Sequence, residues 1–316
     1  MKEKDSAIQT MPDNGLEAKR SELARLIVKH TSVEGPQRTA IPSLNLIRAD
    51  RPNGPTHSLY RPSLCIVVQG AKEVLVGRES FTYDPATYLV TSVELPIKGR
   101  VVQASPEQPY LSAQLYFTAD QIVSAGGGAE QPGQGEPEAS VLRRGVGVGR
   151  MDEMLLDSLL RLLRLLDTPD DIEALSPLMI RELLYRVTRG ELGGQVRRFA
   201  AAGTLSQRIA GVVRRIQLDY AEPLRVDELA EQAHMSESSL YAHFKEVTNL
   251  TPIQYQKRIR LQEARRLLLS ETSEAAEAAF RVGYESPSQF SREYSRMFGL
   301  PPARDMKRMR EELAGG

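Results

Sequence analysis

The sequence predicts an α+β protein in two parts, and three observations lead there. Between Ile41 and Phe117, short β-type runs alternate with turn residues. From Met151 onward, apolar residues recur at helical spacing. The last third then spells one helix-turn-helix pattern twice. The expected fold is therefore a β-rich N-terminal domain followed by helices, and an all-helical C-terminal domain.

Residues 1 to about 20 are polar and are expected to be disordered. Leu23, Leu26 and Ile27 recur at helical spacing, which predicts a short amphipathic helix from Ser21 to His30. The strand-like runs include Leu64–Val68 before Gln69-Gly70, Val74–Val76 before Gly77, Tyr88–Thr91, Val101-Val102 and Leu111–Phe117. Pro96, Pro106 and Pro109 fall between them, and this spacing suggests a sandwich or barrel. The stretch from Gly126 to Pro137, rich in Gly, Pro and Glu, reads as a mobile loop. Met151, Leu155, Leu159, Leu162, Leu163 and Leu166 then form one helical stripe, which Thr168-Pro169 ends. Ser176-Pro177 lies near the start of a second helix carrying Ile180, Leu183, Leu184 and Val187. Gly190 to Gly203, with Gly193-Gly194 in its middle, reads as a joint. These signals divide the chain into a disordered start (1–20), a first domain (21–203) and a second (204–316).

In the second domain, Ile209, Val212, Val213 and Ile216 give the stripe of a core-facing helix. The first helix-turn-helix copy follows from Leu229 through Phe244 to Leu250-Thr-Pro252. The second runs from Ala278 through Tyr294 to Leu300-Pro-Pro302. From the serine onward the copies align in steps of 50 residues: Ser236 with Ser286, Leu240 with Phe290, Phe244 with Tyr294, Pro252 with Pro302. Ser236 and Ser286 are suitable N-caps. The turn before each favours positive φ, which suits Gly283 and strains His234. A long helix from Thr251-Pro252 to about Ser270 is expected to hold the two units roughly one DNA turn, about 34 Å, apart.

Each second helix must bury one face. With Leu240 and Phe244 inward, Glu237, Ser238, Tyr241, Ala242 and Lys245 are left outward; with Phe290 and Tyr294 inward, Ser288, Gln289, Arg292 and Arg296 are. Arg292 and Gln289 suit guanine and adenine edges. Lys245, Arg296 and the amides at each helix start suit phosphates. Double-stranded DNA is the partner this pattern indicates.

Composition bounds the alternatives. The chain has 316 residues, 41% apolar and 26% charged, with zero formal net charge. From Thr204 to Gly316 there are 17 Lys and Arg against 16 Asp and Glu, so the charge balance adds nothing to a DNA-binding reading. Local clusters (Lys257, Arg258, Arg260, Arg265, Arg266; Arg304, Lys307, Arg308, Arg310) fit phosphate contacts and a solvated helix face equally well. One cysteine, Cys65, excludes an internal disulfide and a multi-cysteine zinc site. No apolar run reaches the length of a membrane span and no signal peptide opens the chain, so a cytoplasmic location with no membrane contact is expected.

At these residues the chain resembles a known family. Val282-Gly-Tyr-Glu-Ser-Pro-Ser-Gln-Phe-Ser-Arg-Glu-Tyr294 through Phe298-Gly-Leu-Pro-Pro302 is similar to the signature of the AraC/XylS family of bacterial transcription regulators. The resemblance covers about 100 residues in order. It implies two helix-turn-helix subdomains on a linker helix, in adjacent major-groove segments. Its base-reading positions fall on Ser238, Tyr241, Ala242, Ser288, Gln289 and Arg292. Ser238 and Ala242 are smaller than the residues some members carry there, so the second helix is expected to dominate specificity.

Pro62-Ser-Leu-Cys-Ile-Val-Val-Gln-Gly70 and Tyr83-Asp-Pro-Ala-Thr-Tyr-Leu-Val90 are similar to the cupin-like N-terminal domain of one AraC-type subgroup. That likeness implies a small jelly-roll barrel that senses an effector, with following helices that dimerise; the Met151–Leu166 stripe suits dimer contact. A small-molecule effector, a second copy of the chain and RNA polymerase join DNA as expected partners. No cofactor and no metal are expected, and catalysis is not. A cupin metal enzyme, the first alternative, needs several converging histidines, whereas this segment has only His57, read as an exposed loop residue. The second alternative is a dimeric DNA-binding protein with no effector. Cys65 reads as a buried strand residue; a sensor role for Cys65 requires exposure and a lowered pKa. Phe81, Tyr83, Tyr88 and Tyr116 are candidates either to line a ligand pocket or to fill the core.

Overall fold

The computed structural model describes residues 14–127, 144–270 and 274–314. Helix α1 (Asn14–Lys29) opens the described chain. It starts a full seven residues before Ser21, because Leu16 also packs on the core that holds Leu23, Leu26 and Ile27. The expectation of disorder thus fails for residues 14–20, and its remainder lies outside the described residues.

Ten strands follow, all paired antiparallel: β1 (Gly35–Arg38), β2 (Leu44–Ala49), β3 (Thr56–Tyr60), β4 (Ser63–Gln69), β5 (Ala71–Val76), β6 (Glu79–Tyr83), β7 (Thr87–Thr91), β8 (Leu95–Gln103), β9 (Tyr110–Tyr116) and β10 (Val146–Arg150). They form a six-stranded sheet in the order β1-β2-β9-β4-β7-β10 and a four-stranded sheet in the order β3-β8-β5-β6. Successive side chains of a strand point to opposite faces. Thus Leu64, Ile66 and Val68 of β4 pack with helices on the outer face, while Cys65 and Val67 point into the space between the sheets. Val74, Val76, Leu95, Ile97 and Tyr83 close that space from the other sheet. The predicted β-rich, barrel-like domain is present.

After the short α2 (Ala119–Ile122), helices α3 (Glu153–Arg164) and α4 (Ile172–Arg189) lie with α1 over the outer face of the larger sheet. Here one expectation is corrected. Leu155, Leu159, Leu162 and Leu163 of the leucine stripe are fully buried within this chain's own core, and so have no surface to offer a dimer partner. A second correction concerns the joint. Residues 190–203 contain helix α5 (Gly193–Ala200), with Val196 and Phe199 buried. Only about two turns long, α5 hides in sequence behind Gly193 and Gly194, both poor helix formers. The predicted mobile loop from Gly126 to Pro137 lies mostly outside the described residues; its first two residues end a π-turn, Val123–Gly127.

After Gly203 (φ +78°), Thr204 caps α6 (Leu205–Leu218), its hydroxyl accepting from the Gln207 amide. Then come α7 (Val226–Gln232), α8 (Glu237–Thr248), α9 (Pro252–Ser270), α10 (Ala275–Arg281), α11 (Pro287–Phe298) and α12 (Pro302–Ala314). Ile209, Val212, Phe244 and Tyr255 of the first helical unit share one buried cluster with Val67, Val74 and Leu95 of the barrel. The second unit has a core of its own around Leu261, Leu268, Phe290 and Tyr294. Among the described residues, no helix is long and apolar enough to cross a membrane.

Candidate nucleic-acid interface

The two copies fold alike down to their ends. The Ser236 hydroxyl accepts from the Ser239 amide and the Ser286 hydroxyl from the Gln289 amide, each at 3.3 Å, so α8 and α11 begin with the same cap. Both also end alike, with a left-handed residue 50 positions apart: Asn249 (φ +58°) and Gly299 (φ +82°). Leu240, Phe244, Phe290 and Tyr294 are fully buried, which turns the opposite faces outward. At the preceding turn His234 has φ +52° and Gly283 φ +85°, as the alignment requires. A left-handed histidine is strained, so His234→Gly is expected to stabilise the first unit by up to about 1 kcal/mol. A urea titration checks this; an unchanged midpoint would show that the turn is relaxed.

Eight of the nine residues named as outward, Glu237, Ser238, Ala242 and Lys245 on α8 and Ser288, Gln289, Arg292 and Arg296 on α11, are exposed. Tyr241 is half-buried. Among the described residues, Lys245, Arg292 and Arg296 take part in no ion pair, so their charges are available to a ligand. Gln289 leans on its own helix: Nε2 donates to Glu293 at 3.4 Å, and Glu293 also accepts from Lys257 (2.8 Å) and the Tyr284 hydroxyl (2.9 Å). Glu293 therefore aims Gln289 and ties α11 to α9, a role for which the sequence carries no signal.

Three cations of the basic clusters have another job. Arg260 donates to the carbonyls of Tyr220, Ala221, Glu222 and Gly283, clamping the two helical units together. Arg265 and Arg308 both donate to Asp305, a fully buried carboxylate that also accepts from the Tyr294 hydroxyl. These cations are internal supports, and the available positive charge on the outward faces is that of Lys245, Arg292 and Arg296.

In the first domain the geometry bears out the reading of Cys65 as a buried strand residue and revises that of His57. Cys65 is buried, and that burial pushes its thiol up to about 11 although Lys72 and the Ser63 hydroxyl work against the shift. Arg61, the other cation near it in sequence, instead lies over the Tyr116 ring at 4.1 Å. Exposure and a lowered pKa, the two requirements of a thiol sensor, are both missing at Cys65 in this conformation. His57 is not in a loop: it lies on β3, and its ring meets Phe298 of α11 edge-on at 5.3 Å. Of the four aromatic residues considered for a pocket, Tyr83 points between the sheets with Phe81 packed against the same cluster. Tyr88 instead faces the helices. Tyr116 is half-buried and donates to Gln114.

A cavity of about 400 Å³ lies between the domains. Val93, Phe117, Val196, Phe199 and Val213 give it apolar walls, and Glu94, Gln207 and Arg214 supply polar groups. Burial raises the pKa of the Glu94 carboxyl, against the pull of Arg61.

Comparison with known proteins fits this geometry. The family model described as the AraC-type transcriptional regulator N-terminus matches residues 40–195, and a helix-turn-helix domain model matches residues 229–308. The chain belongs to the AraC/XylS family. Among curated members it is 29% identical over 108 residues to the regulator ArgR of Pseudomonas aeruginosa, covering 34% of this chain and 33% of that protein. It is 34% identical over 92 residues to the activator RhaS of Escherichia coli, covering 29% and 33%. The chain thus spans about a third of the length of these curated relatives. Over a larger span the fold is similar to apo ToxT of Vibrio cholerae: TM-score 0.55 at 10% identity, covering 85% of this chain and 98% of that one.

Proposed function

We propose that this protein is a sequence-specific DNA-binding transcription regulator that places α8 and α11 in adjacent major-groove segments of one duplex. The observation that carries this reading is the equivalence of the two helices. Each is capped by a serine, buried on the same face and closed by a left-handed residue at the equivalent position, with Gln289, Arg292, Arg296 and Lys245 outward. The second helix supplies more of the specificity, since Gln289 and Arg292 reach further than Ser238 and Ala242. Arg292→Ala is expected to weaken binding to a selected site by about 1–3 kcal/mol and to relax one base position. Titrations against that site and against random DNA test this; equal losses on both would make Arg292 a phosphate contact.

The regulator responds to a small organic molecule held in the cavity between the barrel and α6. The mainly apolar walls with a few polar groups are those of a ligand site. ToxT, whose fold is similar, has been crystallised with an unsaturated fatty acid bound. A compound that binds there raises thermal stability with the logarithm of its concentration once that exceeds Kd, and Ala210→Phe, which fills the cavity, is expected to abolish the rise. A full rise in the variant would move the effector site elsewhere.

A second copy of the chain is a further partner. Leu175, Leu178 and Tyr185 of α4 are 38%, 62% and 48% exposed, an apolar face available where the buried leucine stripe is not. Sedimentation of Leu178→Glu beside the parent chain tests this contact.

A further inference from the structure

Both recognition helices are held at their C-terminal ends, and by opposite edges of one sheet. At the β6 edge, the Asn249 side chain that closes α8 donates to the Val76 carbonyl and to Glu79, each at 3.2 Å. Glu79 in turn pairs with Arg144 at 2.7 Å, and the neighbouring Gly145 amide donates to Val247 at 2.9 Å. The β5–β6 turn approaches so closely that a Cβ at Gly77 would stand 2.5 Å from that of Asn249. At the β3 edge, His57 packs edge-on against Phe298, the last residue of α11, whose ring also lies under the Arg265 guanidinium at 4.6 Å. Between these edges α9 rests on β3 and β8, and its Tyr255 hydroxyl donates to the Glu94 carbonyl at 2.8 Å.

The linker helix and the Arg260 clamp hold the two units together at α9. Contacts at both edges of one hydrogen-bonded sheet add a second hold on each unit, at the recognition helix itself, and restrict rotation about that clamp. Asn249 and Phe298 stand at equivalent places in the two copies, one residue apart in the 50-residue register. We propose that Asn249 and His57 are positioning residues, through which the four-stranded sheet acts as a splint that sets the separation and twist of α8 and α11. The barrel is then not only a ligand holder: any change that shears β3 against β6 changes the spacing of the two recognition helices. This second consequence rests on the paired DNA reading, whereas the splint itself does not.

The test uses the full chain. Spin labels at Ser238→Cys and Ser288→Cys, with Cys65→Ser, report the distance between the helices in the absence of DNA. One narrow distance is expected. Asn249→Gly keeps the left-handed cap but loses both hydrogen bonds, and His57→Ala loses the ring contact; each is expected to broaden or shift that distance while circular dichroism stays unchanged. On unlabelled protein, a two-box DNA lengthened by two base pairs between boxes is expected to lose roughly tenfold in affinity for the parent, and clearly less for either variant. Affinity for a single box should not move. Unchanged distances in both variants overturn the splint. A parent chain that selects no two-box DNA overturns the paired reading instead, and the distance measurement still decides the splint.

Discussion

Asp305→Ala is expected to destabilise the second helix-turn-helix unit by about 3–5 kcal/mol, the cost of leaving a buried charge without its partner. Asp305 is fully inaccessible to solvent and accepts four hydrogen bonds: two from Arg265 at 2.8 and 3.1 Å, one from Arg308 at 2.7 Å and one from Tyr294 at 2.9 Å. It thereby joins α9, α11 and α12. Removing it strands the Arg265 guanidinium and the Tyr294 hydroxyl in the unit that carries Gln289 and Arg292. Urea denaturation followed by circular dichroism should show the variant unit melting early. Replacing Arg265 with Met in the same chain should recover part of the loss, because the stranded cation is then gone. A loss below about 1 kcal/mol would mean that water reaches the site.

Gly283→Ala should cost about as much, some 3 kcal/mol, for a different reason. Gly283 has φ +85°, and a Cβ there would stand 2.0 Å from the Ala221 carbonyl oxygen. Neither side can give way cheaply, because Arg260 donates to the carbonyls of both Ala221 and Gly283. Gly203→Ala provides the control: its φ is +78° but its surroundings are open, so only the backbone term of about 1 kcal/mol applies. Equal effects of the two substitutions would remove the close approach from the explanation.

The contact between domains carries a pH dependence. His57 is held down to about 4, first by burial and then by Lys98 on β8 and by Arg258 and Arg265 on α9, while the Met297 backbone on α11 pulls weakly the other way. Its folded pKa is thus below the unfolded one, so the docked arrangement is favoured above about pH 6.5. That stabilisation falls as the pH drops from there toward 4. A histidine proton-resonance titration checks the sign: an ordinary pKa for His57 would mean that the barrel and α11 are apart in solution.

The paired helices were legible in the sequence because two independent signals coincide in each copy. The serine caps fix where α8 and α11 start, and the Leu240/Phe244 and Phe290/Tyr294 spacing fixes which face turns inward. The strands were legible for a similar reason, with turn residues punctuating β-branched runs. What could not be read was tertiary. Alternation along β3 shows only that His57 and Tyr60 face opposite sides; it does not say that Phe298, 241 positions later, covers one of them. Arg260 and Arg265 of α9 look like part of a DNA-facing cluster until their acceptors, backbone carbonyls and a buried aspartate, are located. The leucine stripe of α3 has the same periodicity whether its partner is this chain or another, and here α1, α4 and the sheet bury it. Short α5 carries two glycines and so has no strong helical signal.

The most direct test of the account is a selection of genomic DNA fragments by the purified 316-residue chain at a stated salt concentration, followed by footprinting of what is retained. Two boxes on one face of the duplex, their centres about one helical turn (~34 Å) apart, with the sharper sequence preference in the box protected by α11, are the predicted result. Weak, strongly salt-dependent protection with no shared sequence would contradict it, since phosphate contacts alone produce that behaviour.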